Sequence, residues 1–253
     1  MMDAASSPSQ FKDHFSGHAS VYADFRPHYP AELFALLADQ SVARDAVWDA
    51  GCGNGQASVG LAKHFTKVYA TDASAEQIAA ALQNPHIDYR VAPAEASGLA
   101  DASVDAIIVC QALHWFDFDQ FYAEARRVGR SGAPIFAVAY ELAEISAPID
   151  AIIRDFYKAD IGPYWPADRA HIETGYRDIP WSFTPLDLPP VHMSAQWSLD
   201  QMMGYTSTWS AVRRYQSATG IDPVPALREA LAPQWGDGRR EINWPLVIKS
   251  GRI

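Results

Sequence analysis

A glycine-rich loop between a short apolar strand and a helix is the feature that most constrains the fold of this chain. The strand is predicted over residues 45–49 and the helix over 56–65. The loop between them carries Gly51, Gly53 and Gly55. A strand, a glycine loop and a helix in this order form the unit with which many α/β proteins hold a nucleotide-containing cofactor.

The spacing of the glycines discriminates between cofactors. In the dinucleotide-binding pattern Gly-x-Gly-x-x-Gly the third glycine would fall at position 56, which is Gln56 in this chain. No lysine follows the last glycine directly, as it does in a phosphate-binding P-loop. Asp49 at the end of the strand would repel a pyrophosphate, whereas it would attract a ligand that carries an ammonium group and a sulfonium. The loop is therefore predicted to bind a cationic ligand.

A second acidic residue, Asp72, ends the next predicted strand and lies twenty-three positions after Asp49. A carboxylate at this place accepts hydrogen bonds from both hydroxyls of a ribose in nucleotide-binding folds. Ser74 and Gln77 form a capping box for the following helix, so that Asp72 is not needed as its cap. The two acids therefore predict a nucleoside ligand.

Strands and helices alternate along the first 140 residues. Beyond the first unit, strands are predicted over 67–71, 87–91, 104–110 and 134–140, and helices over 31–39, 74–82 and 117–128. The run over 104–110 is almost continuously apolar, as expected of a strand that is buried on both faces of a parallel sheet. This alternation predicts an α/β sheet with crossover helices on both faces.

Regular alternation ends after residue 140, where tryptophan and proline become frequent. We predict four segments: an N-terminal cap segment over 1–30, a cofactor-binding α/β core over 31–142, a helical lid insertion over 143–235 with one strand near 188–197, and a final sheet strand in 236–253, near 242–248.

Charge and cysteine content argue against several kinds of partner and ligand. It has 20 basic and 30 acidic residues, a net charge of -10 at pH 7, so nucleic acid is not expected as a partner. Cys52 and Cys110 lie far apart, which argues against a disulfide framework or a zinc site, and no metal is expected. No signal peptide or membrane-spanning segment is predicted, so we expect a cytoplasmic protein. No feature indicates the oligomeric state.

Four motifs occur in the order and register of a known class of enzymes. They are Asp-x-Gly-x-Gly-x-Gly over 49–55, Asp72 after the second strand, Ala94-Glu95 after the third, and Gln-Ala-Leu-His-Trp over 111–115 after the fourth. With these motifs the chain resembles class I S-adenosylmethionine-dependent methyltransferases of the methyltransferase type 11 group. The segments 22–30 and 206–212 are similar to the subgroup related to trans-aconitate methyltransferases.

The resemblance implies a seven-stranded, Rossmann-like sheet with helices on both faces and a partly helical cap. It implies S-adenosylmethionine as the cofactor, held by Tyr22, Arg26, Tyr29, Asp49, Gly51, Gly53, Gly55, Asp72, Ala94, Glu95 and Gln111. The three glycines would lie against the methionine part, whose amino end Asp49 would order, and Asp72 would hold the ribose. The adenine would lie between Ala94 and Glu95, and Gln111 would lie beside the sulfonium. Residues of the cap segment would close over the cofactor.

The resemblance also implies transfer of the methyl group to a small molecule. For this acceptor we predict one catalytic residue and four binding residues: His114, and Trp115, Tyr140, Trp209 and Arg213. Arginine outnumbers lysine 15 to 5, and Trp209 and Arg213 share one face of a predicted helix. Planar guanidinium groups suit bidentate carboxylate recognition, so our hypothesis is a small carboxylate acceptor.

Other interpretations are compatible with parts of the sequence. A nucleotide-cofactor oxidoreductase is favoured by Asp72 but opposed by the glycine spacing. A noncatalytic binder of S-adenosylmethionine or S-adenosylhomocysteine is excluded by no sequence feature. His114 is either a catalytic group or a packed, hydrogen-bonded wall. Methylation of a carboxylate needs no general base, so the enzyme hypothesis does not depend on this histidine.

Overall fold

The strands predicted in the first half of the chain form a parallel sheet. The computed structural model describes residues 25–253, and the first five strands are β1 (Ala46–Ala50), β2 (Lys67–Asp72), β3 (Ile87–Val91), β4 (Ala106–Cys110) and β5 (Pro134–Tyr140). They lie in the order β3-β2-β1-β4-β5. Strand β1 is paired on both sides, with Asp49 opposite Ala70 of β2 and Ile108 of β4. The carboxyl ends of these strands therefore meet at one edge of the sheet.

Strands from the second half complete the sheet: β6 (Thr184–Pro185), β7 (His192–Ser198) and β8 (Arg239–Arg252). Strand β8 is antiparallel to β5, and β6 pairs with the other side of β8. The first half of β8 extends past β5 and pairs with β7, from Pro245 opposite His192 to Arg239 opposite Ser198. The path β3-β2-β1-β4-β5-β8-β6 thus has seven strands, of which all but β6 were predicted, and the predicted strand near 188–197 is β7, which lies off this path and pairs with β8.

The last strand is longer than the prediction near 242–248, because it covers 14 residues. Ile242 and Trp244 are buried and carry the apolar pattern. The polar ends at Arg239 and Arg252 carry no such pattern and belong to the strand through backbone pairing with β7 and β5. Strand β7 begins later than predicted, at His192, because two prolines that lack an N–H donor precede it. The two-residue strand β6 was not predicted.

Nine α-helices are described in residues 25–253: α1 (Ala31–Gln40), α2 (Gln56–Leu61), α3 (Ala75–Ala79), α4 (Phe118–Val128), α5 (Ala147–Asp155), α6 (Ala170–Glu173), α7 (Leu199–Ser207), α8 (Ser210–Thr219) and α9 (Val224–Trp235). Two are shorter than predicted. Helix α2 ends in a turn after Leu61 instead of at residue 65. Helix α3 ends before residue 82 because the N–H of Leu82 donates to the carbonyl of Asn54 in the glycine loop. Ser74 caps α3 as predicted, accepting from the N–H of Gln77.

The sheet is covered on both faces by apolar side chains. Along β4, Ile107 and Val109 join the cluster around Trp48 and Phe121, whereas Ile108 joins the cluster on the opposite face. Strands β1 and β5 are buried over their whole length, and β4 over all but its last residue. A strand buried on both faces reads as a continuous apolar run, which is why these three strands were predictable.

The segment after β5 builds a separate apolar cluster with β7 and the first half of β8. Its largest members are aromatic and include Trp197, Tyr205, Trp209, Trp235 and Trp244. This cluster lies beyond the carboxyl end of β5, through Tyr140, and so covers the edge at which the loops of the sheet meet. None of the helices between residues 25 and 253 has the length and hydropathy of a membrane span.

Candidate functional site

The glycine loop packs tightly against the sheet edge. Gly51 and Gly55 have φ angles of 69° and 85°, and a Cβ atom would come within 2.6 Å of the Ala112 Cβ at Gly51 and would overlap the Tyr89 hydroxyl at Gly55. A side chain at either position would clash with neighbouring protein atoms, so glycine is required at both. Gly53 also has a positive φ, of 55°, but among residues 25–253 a Cβ there would meet only the Gln77 Oε1 at 3.8 Å. Gly53 is thus the loop glycine that the described residues do not crowd.

Asp49 is a fully buried acid at the end of β1. Its Oδ2 accepts a hydrogen bond from the Ser58 hydroxyl at 2.5 Å, while its Oδ1 has no hydrogen-bond partner in the described part of the chain. Burial raises the pKa of the Asp49 carboxyl to about 7, a value that includes a lowering by the Ser58 hydrogen bond and a smaller raising by the nearby Asp72 charge. An orphaned oxygen on a buried carboxylate favours a cationic ligand, because such a ligand would complete its hydrogen bonds and offset its desolvation.

Asp72 connects the end of β2 to the glycine loop. Its two oxygens accept backbone hydrogen bonds from Gly53 and Ser74, each at 2.8 Å. Both N–H groups donate to a carboxylate, which makes these bonds charge-assisted and holds the side chain in one orientation. A carboxylate oxygen accepts more than one hydrogen bond, so this arrangement leaves capacity for ribose hydroxyls.

The residues predicted around the adenine lie after β3. Ala94 is buried, and Glu95 is half-buried, with its Oε1 accepting from the backbone N–H of Asp117 at 2.9 Å. One oxygen of Glu95 is therefore already engaged at the start of α4. Tyr89 on β3 is a neighbour of the loop that sequence reasoning missed. Its hydroxyl donates to the carbonyl of Leu82, and the only sequence signal for its position is the glycine at 55 that leaves room for its ring.

Gln111 follows β4 directly and adopts a φ of 55°, a left-handed conformation that is unusual for a residue with a side chain. Its backbone N–H donates to the carbonyl of Val138 at 2.8 Å, and its amide Nε2 donates to the carbonyl of Tyr140 at 3.0 Å. The bond from Nε2 fixes the orientation of the amide, whose oxygen remains an acceptor that a ligand could use. Backbone strain of this kind concentrates at functional sites.

A cavity opens beside Gln111, between the end of β4 and the aromatic cluster of the second half. Its walls are mostly aromatic rings and two arginines: His114, Trp115, Tyr140, Trp165, Tyr205 and Trp209, and Arg26 and Arg169, with Ile172 and Ser210 completing the lining. No carboxylate side chain is among these lining residues. The described lining thus combines polar and aromatic groups, and its charged side chains are the two arginines.

Each arginine lies close to an aromatic ring and donates to a tyrosine hydroxyl. The guanidinium of Arg26 donates to the Tyr140 hydroxyl at 3.0 Å and lies 5.6 Å from the centroid of the Tyr205 ring. The guanidinium of Arg169 lies 4.2 Å from the centroid of the Trp165 ring, and its Nε donates to the Tyr157 hydroxyl at 3.0 Å. Within residues 25–253, Arg169 forms no ion pair with a carboxylate. Stacked guanidinium groups present their remaining N–H donors as a fixed fork.

His114 lies on a short 3-10 turn (Leu113–Trp115) just after β4 and is 5% exposed. Its Nδ1 lies 3.0 Å from the hydroxyl of Tyr176, which is fully buried. Burial, with smaller contributions from the charges of Arg169 and His171, lowers the pKa of His114 to about 3. The imidazole is therefore neutral at physiological pH.

The structure brings most of the predicted acceptor residues together. His114, Trp115, Tyr140 and Trp209 line the cavity, whereas Arg213 on α8 is not among the lining residues. Arg26, predicted on the cofactor side, lies in the cavity wall, and Tyr29 packs behind it against the Tyr140 ring. Tyr22 lies outside the described residues.

Sequence reasoning missed Arg169. It ends a 3-10 turn (Ala167–Arg169) in a segment without helical periodicity, so no amphipathic pattern singled it out. The signal that was available is its position four residues after Trp165, the same spacing that drew attention to Trp209 and Arg213.

Comparison with known proteins gives consistent matches. Residues 48–137 match the methyltransferase domain family. The chain is 32% identical over 250 residues to a Dictyostelium discoideum protein named as a methyltransferase, and the match covers 95% of each chain. A solved structure from Anaeromyxobacter dehalogenans, described as a type II methyltransferase, is 44% identical with a TM-score of 0.84 and covers 90% of this chain and 98% of that one. A further structure, from Anabaena variabilis, shares the fold at 14% identity, with a TM-score of 0.54 over 88% of this chain and 99% of that one.

Proposed function

The chain belongs to the class I S-adenosylmethionine-dependent methyltransferases, and on this premise we propose that it methylates a small acceptor that carries a carboxylate. The observation that carries the proposal is Arg169, a guanidinium in the cavity wall that forms no ion pair with a described carboxylate. The similarity of two segments to trans-aconitate methyltransferases stays a prediction, and the proposal does not depend on it.

The cofactor side of the proposal is supported by the donor and acceptor groups at the sheet edge. The orphaned Oδ1 of Asp49 fits the ammonium group of the methionine part, and the carboxylate of Asp72 fits the ribose hydroxyls. The described residues do not crowd Gly53, which leaves room on their side for the ligand to approach the backbone. Gln111, between this cleft and the cavity, offers its amide oxygen to the sulfonium side.

The acceptor side is supported by the charge of the cavity. A carboxylate would face Arg169 and Arg26 with no competing acid among the lining residues. A bidentate pair with a guanidinium is among the stronger charge-assisted contacts and also fixes the plane of the carboxylate. An acceptor with a protonated amine would meet two like charges instead, which disfavours it.

The chemistry needs little from the protein beyond positioning. S-adenosylmethionine, when bound, would supply a methyl carbon activated by its sulfonium; a carboxylate oxygen of the acceptor would gain the methyl group, and the electrons of the broken carbon–sulfur bond would stay on sulfur as a neutral thioether. The product is a methyl ester, and no proton has to be removed. The chain's own residues orient the acceptor and exclude water, which the aromatic walls of the cavity favour.

Paired arginine variants test the proposal. Arg169→Ala should raise the KM for a carboxylate acceptor at least tenfold while the affinity for S-adenosylhomocysteine stays unchanged, since removing one partner of a shielded ion pair costs about 2 to 5 kcal/mol. Arg213→Ala serves as the matched control, because this second arginine does not line the cavity. A larger effect at Arg213 than at Arg169, or equal losses on the acid and on its neutral amide, would argue against a carboxylate held by Arg169.

A further inference from the structure

The imidazole of His114 has one nitrogen engaged by the protein and one left for a ligand. Nδ1 lies 3.0 Å from the hydroxyl of Tyr176. Nε2 has no hydrogen-bond partner among residues 25–253. It is not fully buried, and the ring forms part of the cavity wall. Nε2 is therefore the atom that His114 can offer to an acceptor molecule.

Tyr176 is held in an unusual backbone conformation that fixes the position of its hydroxyl. Its φ is 57°, and Gly175 before it has a φ of 58°. The ring is fully buried in the core cluster of the sheet, its N–H donates to the carbonyl of His171, and its carbonyl accepts from the Lys249 ammonium at 2.7 Å. A large residue with a positive φ persists only where the surrounding contacts over-determine it.

The proton balance of this pair selects one tautomer. The Tyr176 hydroxyl carries one proton, and His114 Nδ1 is its only hydrogen-bond partner among the described residues. If Nδ1 carried a proton, the phenol proton would be left buried without an acceptor, which costs free energy. The phenol therefore donates to Nδ1, and the single proton of a neutral imidazole is on Nε2.

The surroundings also disfavour a charged ring. Arg169 and His171 face His114 from the segment 167–173, Arg26 faces the cavity from the other wall, and the phenol of Tyr176 closes the buried side. None of these groups is an acid. No carboxylate lines the cavity within the described residues, so an imidazolium would have no counter-ion there.

We propose that His114 is a fixed hydrogen-bond donor, which presents Nε2–H to an oxygen of the acceptor and is held in this tautomer by Tyr176. This role deepens the proposed function, because together with Arg26 and Arg169 it makes the cavity a set of donors that selects an oxygen-rich anion. It also means that His114 does not act as a general base, since its exposed nitrogen is already protonated. Tyr176 is a positioning residue, acting only through the histidine.

The tautomer can be measured without any acceptor, so its test is independent of the proposed function. In ¹⁵N-histidine-labelled ligand-free protein, long-range ¹H–¹⁵N spectra distinguish a protonated Nε2 from a protonated Nδ1, and the His114→Gln variant assigns the signal among the eight histidines. We expect Nε2–H between about pH 5 and 8, the range in which an ordinary histidine titrates. An Nδ1–H tautomer, or a titration near the ordinary value, would overturn the proposal.

Tyr176→Phe removes the phenol proton and keeps the ring. We expect the Nε2–H signal to give way to a mixture of the two tautomers in this variant, a change that a purely structural role of Tyr176 would not cause. An unchanged Nε2–H signal in the folded variant would show that the phenol does not hold the tautomer.

Activity variants then separate a donor from a base. Gln at 114 keeps an N–H donor near the position of Nε2 but has no basic nitrogen, whereas Leu keeps neither. We expect His114→Gln to retain kcat/KM within about tenfold of the parent and His114→Leu to lose roughly another tenfold or more, the range for a buried hydrogen bond. Equal inactivation by both substitutions, with parental melting temperatures, would indicate a base. If neither variant folds, the spectra of the parent protein still decide.

Discussion

The hydroxyl of Ser58 donates to Oδ2 of Asp49 at 2.5 Å, while Oδ1 of this buried carboxylate has no hydrogen-bond partner in the described part of the chain. The acid is thus held at the end of β1 with one of its two oxygens unused. The unsatisfied carboxylate of Asp49 lowers the stability of the ligand-free protein, and the same carboxylate is positioned to favour a cationic ligand.

Asp49 gives the ligand-free protein a characteristic pH dependence. Its folded pKa, about 7, is raised above the ordinary value of 3.8, so the fold binds a proton that the unfolded chain releases. The contribution to stability is present below about pH 4 and is lost as the pH rises towards 7. The Asp49→Asn variant has no carboxyl group to ionise at this position, so it does not lose this stability as the pH rises. We expect its melting temperature to exceed that of the parent at pH 8 but not at pH 4. Parallel melting curves across this range would contradict the raised pKa.

The same substitution should weaken the cofactor. The amide introduced by Asp49→Asn would keep the hydrogen bond to Ser58 but not the charge, so the affinity for S-adenosylhomocysteine should fall although the protein is more stable.

Asp72→Ala should weaken binding by about 1.5 to 3 kcal/mol, the range for hydrogen bonds to a charged group. Titration calorimetry checks both variants. Unchanged dissociation constants in the folded variants would remove these acids from the binding site.

Gly53 and Gly98 form a matched pair for testing the glycine loop. Both have positive φ angles, and at neither would a Cβ meet an atom of the described residues closer than 3.8 Å, so the backbone strain of a Val substitution is comparable. We expect Gly53→Val to abolish cofactor binding and Gly98→Val to leave it intact. Equal binding by both variants would mean that the loop is only a turn.

The cofactor itself can be distinguished by calorimetry on the unmodified chain. S-adenosylmethionine and S-adenosylhomocysteine should bind and NADH should not, because two carboxylates and the glycine spacing disfavour a pyrophosphate. Tight binding of NADH without binding of S-adenosylhomocysteine would be the opposite result.

Sequence reasoning worked best where the structure is local. Short-range spacing predicts the glycine loop, the strand ends at Asp49 and Asp72, and the cap at Ser74. The same local motifs indicate the family. Arg169 and Tyr176 could not be predicted, because their positions depend on irregular turns and on packing between residues far apart in sequence. In these segments no periodicity marks which side chain faces the cavity.

The proposed esterification of a small carboxylate can be measured with a panel of acceptors. Small carboxylic acids, phenols and amines are incubated with methyl-labelled S-adenosylmethionine, and incorporated label is measured before and after mild alkaline hydrolysis. We expect label only with carboxylic acids, released by alkali as methanol because the product is an ester. Label that is confined to amines or phenols and survives alkali would contradict the account.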